Sequence, residues 1–254
     1  MTYWDAIILA IVEGITEYLP VSSTAHLILT AQLLGLAESA FLTTFNIVIQ
    51  TAPILSVMLI YRAKLISSIE LWKKLIVAFI PTGIIGLFFA DAIESLFTAD
   101  LTLFWMVATG VAFIAIEKFY NEKEHYIDAI EKSSYVKAAS IGLFQSIALI
   151  PGVSRSGITI LGAMLLGYKR EAAMAFSFLL AIPTMGAASG YTLLKGYSTL
   201  DFAQWELLGL AFVVAFVVGW VVVKLLLSVV ARFSFIPFGV YLIASALLYA
   251  LFLD

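Results

Sequence analysis

The sequence predicts an all-α polytopic membrane protein: six full transmembrane helices plus two re-entrant helical hairpins, arranged as an inverted-topology repeat. Three observations carry this. First, 63% of the 254 residues are hydrophobic and 12% are charged, with a mean hydropathy of +1.06. Soluble domains run near about 45–50% apolar and about 25% charged. Second, the apolar runs are of two lengths, long and short. Third, the two halves of the chain resemble each other. The absence of cysteine excludes a disulfide framework and a thiolate metal site. A net charge of −3 says little about partners and gives no reason to expect nucleic acid. The first residues, Met1-Thr2-Tyr3-Trp4-Asp5, lack a basic n-region and do not read as a signal peptide.

Six runs are long enough to cross a bilayer, which takes about 20 apolar residues: 40–62, 69–90, 101–120, 171–195, 205–231 and 235–253. Four are shorter: 4–19, 22–36, 137–149 and 154–168. These form two adjacent pairs, broken in the middle by Pro20 and by Pro151-Gly152. Proline removes a backbone donor and drives the residue before it out of the helical region. Each pair therefore reads as a half-helix in, an irregular tip, and a half-helix out. Such backbone is tolerated at membrane depth where protein or a water-filled cavity surrounds it.

A shift of 132 residues lays the first pair on the second. Glu13 falls on Gln145, and nine identities follow without a gap between residues 13 and 36, among them Val21 with Val153, Ser22 with Ser154 and Gly35 with Gly167. This reads as an internal repeat. The chain is expected to be one integral membrane domain over 1–254, with repeat halves at about 1–120 and 137–254 joined by a cytoplasmic segment 121–136. A hairpin followed by three crossings places the second copy upside down, so the two tips meet near the midplane. Twelve of the 14 Lys and Arg residues then fall on one side, Lys195 alone on the other, and Arg155 in a tip. By the positive-inside rule the basic side is cytoplasmic. Both termini, and the mouth of the first hairpin, are expected to face outward.

The polar residues of the tips carry the chemistry. Glu13 and Glu17, one helical turn apart, share a face. Three bare charges there, counting Arg155, carry a penalty of about 8–10 kcal/mol on insertion scales. The bland alternative is that the glutamates lie near the surface and are solvated. Ser22, Ser23 and Thr24 open the next half-helix, with His26 one turn on. One serine is expected as an N-cap. The second tip, "PGVSRSGIT" (151–159), opens with Ser154 beside Arg155 and Ser156. Helix N-termini bind anions, and arginine adds a planar fork suited to phosphate oxygens. Arg155 could equally pair with Glu13 or Glu17 as a structural lock. Two carboxylates with substrate phosphates are a usual way to hold Mg²⁺, and Ser23 with His26 is a candidate nucleophile and base. Together these point to phosphoryl chemistry on a membrane-borne substrate.

"EGITEYLPVSSTAH" (13–26) and "PGVSRSGIT" resemble the two signature motifs of the undecaprenyl-diphosphatase family, the bacitracin-resistance proteins. The resemblance covers nearly the whole chain. It implies hydrolysis of undecaprenyl diphosphate to the monophosphate carrier lipid used in cell-wall synthesis. It implies a divalent cation, Mg²⁺ or Ca²⁺, at Glu13 and Glu17, with Ser23 as nucleophile and His26 in proton transfer. Arg155 would sit with Ser154 and Thr159 on the diphosphate, and Ser22, Thr24 and Ser156 complete the expected substrate contacts. The partners implied are a polyprenyl diphosphate lipid and membrane lipids, with a homodimer one open assembly. Where the family usually reads Ser-Ser-Thr-Gly-His, this chain has Ala25, which would crowd the tip. A transporter or flippase of a lipid-linked phosphate is the rival class, since it uses the same architecture without a nucleophile.

Outside the tips, His125, among Glu122, Lys123, Glu124 and Asp128, reads as solvated. So does the cluster of Asp91, Glu94 and Asp100. Asn46 and Gln50 are expected to hydrogen-bond between helices, and Gly83, Gly86, Gly186 and Gly190 to permit close helix packing.

Overall fold

The computed structural model describes residues 1–89, 92, 93, 96, 99–123, 126–196, 201–229 and 234–251. Asp91, Glu94, His125 and Arg232 therefore lie outside the described residues. Among those described, the chain is helical, with one isolated bridge between Ile127 and Tyr168. The helices are α1 (Tyr3–Thr16), α2 (Ser23–Leu33), α3 (Ala40–Ile49), α4 (Thr51–Ile60), α5 (Arg62–Ser67), α6 (Ile69–Phe88), α7 (Ala99–Phe119), α8 (Tyr135–Ile147), α9 (Arg155–Leu165), α10 (Arg170–Gly196), α11 (Phe202–Val229) and α12 (Ile236–Ala250).

Among the described residues five stretches are long and apolar enough to cross a membrane: Ala40–Ile60, Ile69–Phe88, Asp100–Phe119, Arg170–Leu194 and Phe202–Ser228. This is one fewer than the sequence predicts. The sixth run, 235–253, forms a helix of 15 residues that begins at Ile236, beside Pro237. At 1.5 Å per residue it spans about 22 Å, short of the roughly 30 Å hydrocarbon core. The first run also differs from the expectation of one helix. It breaks between α3 and α4 at Gln50, because Pro53 has no N–H to give the Ile49 carbonyl. At this break Ser189 of α10 donates to the Ile47 carbonyl at 2.8 Å.

The four short helices are where the sequence places them. Three of their four bounds coincide under the 132-residue shift, and the fourth is one residue off: Tyr3 maps to Tyr135, Ser23 to Arg155 and Leu33 to Leu165. Gly35 and Gly167, matched by the same shift, both end their helices with positive φ, 67° and 84°. That is the usual left-handed stop of an α-helix. The packing follows the same exchange. α1 lies along α11 while α8 lies along α6, and α7 pairs with α12.

Polarity runs opposite to that of a soluble protein. Trp4, Leu87, Phe88, Phe104, Phe119 and Leu194 are among many large apolar side chains left exposed on the outside. A water-facing surface does not carry so continuous an apolar area. Glu13, Thr159, Ser177 and Gln145 are buried in the interior. Basic and acidic residues from different helices gather at one end. Arg170 holds Glu117 through both guanidinium nitrogens, at 2.9 and 2.7 Å, and Lys64 pairs with Glu131 at 3.2 Å. The segment between α7 and α8 is pinned there by Ile127, which exchanges backbone hydrogen bonds with Gly167 and Lys169. Asp100 is exposed, as expected.

The glycines that bring helices together are not the four expected. A Cβ at Gly186 or Gly190 would meet open space. At Gly83 it would meet the Phe79 ring of its own helix, and at Gly86 only an ordinary contact with Leu149. Close approach occurs instead at Gly142, where a Cβ would collide with the Ala78 carbonyl, and between Gly110 and Gly239. Which helix face meets a neighbour is a tertiary fact, invisible in glycine spacing alone. Asn46 also departs from expectation, since its side-chain oxygen is buried without a hydrogen-bond partner.

Gly142→Ala is expected to lower the unfolding midpoint in detergent, by about 1–3 kcal/mol of overpacking strain. Gly186→Ala, in open space within a helix, is expected to leave the midpoint unchanged or raise it by up to about 1 kcal/mol. Equal effects of the two would refute the packing assigned to α6 and α8.

Candidate active site

The two tips meet. α1 ends at Thr16, ahead of Pro20, and the chain turns through Glu17–Ser22 before α2 begins. On the other side α8 ends at Ile147 and turns through Pro151-Gly152 into α9. Ser156 at the start of α9 donates to the Leu19 carbonyl of the first tip at 3.0 Å. Arg155 Nη2 donates to Glu17 Oε1 at 2.6 Å across 138 residues of sequence. Arg155 Nη1 donates to the Ser177 carbonyl of α10 at 3.0 Å. Of the two pairings open to Arg155 as a lock, the structure shows the one with Glu17.

Both glutamates are deep. Glu13 is 0% exposed and Glu17 is 6% exposed, which overturns the solvated-surface alternative. Glu17 is doubly engaged, since Ser23 Oγ donates to its Oε2 at 2.6 Å. Glu13 has no such company: both its carboxylate oxygens are buried without a hydrogen-bond partner. Its counterpart in the second half shows the contrast. Gln145 is equally buried, yet its amide donates to Thr82 and Thr184 at 3.0 Å each. The equivalent position is thus satisfied internally in one half and left unsatisfied in the other. Arg155 Nε and the Tyr18 hydroxyl, both near Glu17, are also buried without partners. An unpaired buried charge is costly, and removing one partner from a buried pair typically costs about 3–5 kcal/mol. A cluster of such atoms describes a site built for something polar.

The hydroxyls divide into two groups. In the second tip Ser154 accepts from the Gly157 N–H at 3.1 Å and caps α9, whereas the N-cap expected of a serine in the first tip is not formed. It also lies 3.2 Å from Ser156 Oγ. Thr159 reaches the Arg155 carbonyl at 2.8 Å and Ser177 Oγ at 2.7 Å. Ser154, Ser156 and Thr159 are all buried, and their bonds cap α9 and tie it to the first tip at Leu19 and to α10 at Ser177. In the first tip no serine side chain caps α2. Ser22 takes a left-handed conformation, φ 65°, ψ 81°, costly for a residue with a Cβ. This aims its carbonyl at the His26 ring, with Nδ1 at 2.9 Å. Ser23 and Thr24 are partly exposed at the start of α2. Ala25 is 6% exposed, its methyl part of the apolar core with Tyr18 and Val21 rather than a wall of the tip.

His26 and Ser23 are near in sequence but are not partners. Ser23 is bonded to Glu17, and His26 Nε2 lies 2.7 Å from the hydroxyl of Tyr241 on α12. Tyr241 is the residue sequence reasoning missed. It lies 215 positions from His26 in a run that reads only as a transmembrane helix. Ser177 was missed for the same reason.

A divalent cation suits this donor set in part. Glu13 offers two unpartnered oxygens, and Glu17 and Ser23 add hard oxygen ligands beside it. Among the described residues no three His, Cys, Asp or Glu side chains group to hold a metal by themselves. The remaining ligands would have to be oxygens of a bound phosphate, as is usual for Mg²⁺.

Comparison with known proteins places the chain in a family. A family model described as "Bacitracin resistance protein BacA" matches residues 6–248. An undecaprenyl-diphosphatase of Persephonella marina is 49% identical over 248 residues, 98% of each chain. The undecaprenyl-diphosphatase of Wolinella succinogenes is 44% identical over 254 residues, 100% of this chain and 99% of its own. That of Aquifex aeolicus is 45% identical over 253 residues, 99% of each. With the match spanning both tips and the helices that join them, the chain belongs to the bacitracin resistance protein BacA family.

Proposed function

We propose that this multi-pass membrane protein hydrolyses undecaprenyl diphosphate to undecaprenyl phosphate and inorganic phosphate. Its relatives carry the name of that activity. The observation that bears most weight is the Glu17 carboxylate, held between Arg155 on one oxygen and Ser23 on the other at 2.6 Å each. A guanidinium, a hydroxyl nucleophile and a proton acceptor thus share one centre. Transport of a lipid phosphate needs an anion site but no such nucleophile.

The lipid tail stays among the helices and the diphosphate enters between the tips. Phosphate oxygens displace Glu17 from Arg155, whose Nε is already a spare donor. The guanidinium then neutralises charge that develops in the transition state. Freed from Arg155, Glu17 is a stronger base toward Ser23, whose proton already points at it. As Ser23 Oγ bonds to the terminal phosphorus, its proton passes to Glu17. The bond to the bridging oxygen breaks, and undecaprenyl phosphate departs with both electrons of that bond. Water then hydrolyses the phosphoserine and Ser23 recovers its proton. Ser22 and Thr24 flank the nucleophile, whereas Ser154, Ser156 and Thr159 fix the first turn of α9, which carries Arg155. Mg²⁺ or Ca²⁺ at Glu13 and Glu17, when bound, would neutralise phosphate charge as a Lewis acid.

The architecture in this reading is a pair of inverted halves, about 1–120 and 137–254, in one membrane domain. α1–α2 and α8–α9 are re-entrant hairpins. Coincident helix bounds and exchanged packing partners support it. The basic end, with Lys64, Lys137 and Arg170, faces the cytoplasm by the positive-inside rule. The termini and the mouth of the site face outward.

Phosphate release in detergent from a prenyl diphosphate is expected to stop on chelation and to return with Mg²⁺ or Ca²⁺. Arg155→Ala should lower kcat by at least about 100-fold, the usual cost of removing a preorganised charge-stabilising donor. Ser23→Ala should abolish single-turnover release, and a near wild-type rate would remove Ser23 as nucleophile. Release of no phosphate from any prenyl diphosphate would refute the enzymatic reading.

A further inference from the structure

His26 has a ring nitrogen on each side occupied, and the partners differ in kind. Nδ1 faces the Ser22 carbonyl at 2.9 Å. A carbonyl oxygen can only accept, so Nδ1 carries the proton. In the neutral ring Nε2 is then the acceptor. Its partner, 2.7 Å away, is the Tyr241 hydroxyl, which must donate. The two rings are nearly parallel, 8° apart with centroids 5.5 Å apart. This in-register geometry lets the hydroxyl meet the ring nitrogen edge-on. The pairing bridges α2 and α12, and Tyr249 makes a second bridge to Gln32 at 2.9 Å. The two tyrosines therefore give a built-in comparison, since both tie α2 to α12 but only one meets a residue of the site.

We propose that Tyr241 is a positioning residue for the phosphatase reaction, holding His26 in a single tautomer and orientation with its lone pair on Nε2. This rests on the phosphatase reading and adds a residue to it. The consequence concerns proton flow. Ser23 gives its proton to Glu17, so His26 does not serve the nucleophile directly. A proton that reaches His26 arrives at Nε2 along the Tyr241 O–H. The tyrosine oxygen takes a proton from water in turn and ends each transfer as a phenol. His26 thereby takes up its proton from the Tyr241 side, away from the carboxylates.

The chain has two histidines, so a His125→Gln background leaves His26 as the one imidazole. With ¹⁵N-labelled histidine in that background, Nδ1 is expected as the protonated nitrogen and Nε2 as a hydrogen-bonded acceptor. Tyr241→Phe should move the Nε2 resonance to its free position. It should lower kcat on the order of 10-fold, the scale of losses when a catalytic group is misplaced, with little change in KM. Tyr249→Phe should leave both the resonance and kcat as they were. The proposal is overturned if Nε2 is the protonated nitrogen or if Tyr241→Phe keeps the parent kcat. It is also overturned if Tyr249→Phe lowers kcat equally, which would make both tyrosines mere ties between helices. Failure of the parent protein to release phosphate would sink the enzymatic reading instead, while the nitrogen spectra still decide the hydrogen bond.

Discussion

One ion pair organises this molecule. Glu17 and Arg155 lie in a chain that is otherwise overwhelmingly apolar, and neither charge can be left bare inside it. Each is presented by a turn that proline has made non-helical, and each turn exposes backbone groups that lipid cannot satisfy. The turns meet each other, and the charges, the Leu19 carbonyl and the Ser156 hydroxyl are satisfied at the same junction. Most of the remaining architecture serves to bring those two turns together. Long helices surround them, and their outward faces are apolar enough for lipid.

The pair is also incomplete, and that incompleteness separates a site from a scaffold. Gln145, at the place equivalent to Glu13, has found two threonines and closed its network. Glu13 has found no hydrogen-bond donor for either of its oxygens. A neutral amide with every group bonded fixes helix α8 against α6 and α10. An unpartnered carboxylate beside a spare guanidinium nitrogen awaits charge from outside the chain. Two halves of related sequence have thus diverged in a single side chain from structural closure to chemical readiness.

Hydroxyl side chains show a similar division of labour. Those of the second tip are consumed in capping α9 and tying it to Leu19 and Ser177, so Arg155 is presented from a rigid first turn. Those of the first tip stay nearer the opening, and the left-handed backbone at Ser22 turns a carbonyl toward His26. Backbone strain of this kind persists only where surrounding packing enforces it.

Much of this was legible in the residues themselves. Composition alone demands a membrane, because 63% apolar residues cannot be hidden inside a chain of 254. Pro20 and Pro151 mark the turns because proline acts locally, on its own and the preceding residue. The acid pair, the arginine and the hydroxyl run stand out because ionisable groups are expensive in such surroundings. What the chain could not reveal is everything decided between elements distant in sequence. That Arg155 takes Glu17 and leaves Glu13 free, that Ser23 faces Glu17 rather than His26, and that Tyr241 completes His26 all depend on which helix faces which. So does the choice of Gly142 over Gly186 as the point of close approach. Periodicity and composition report what a segment prefers, whereas a neighbour's identity is settled only when the helices are packed and the reach of each side chain is fixed.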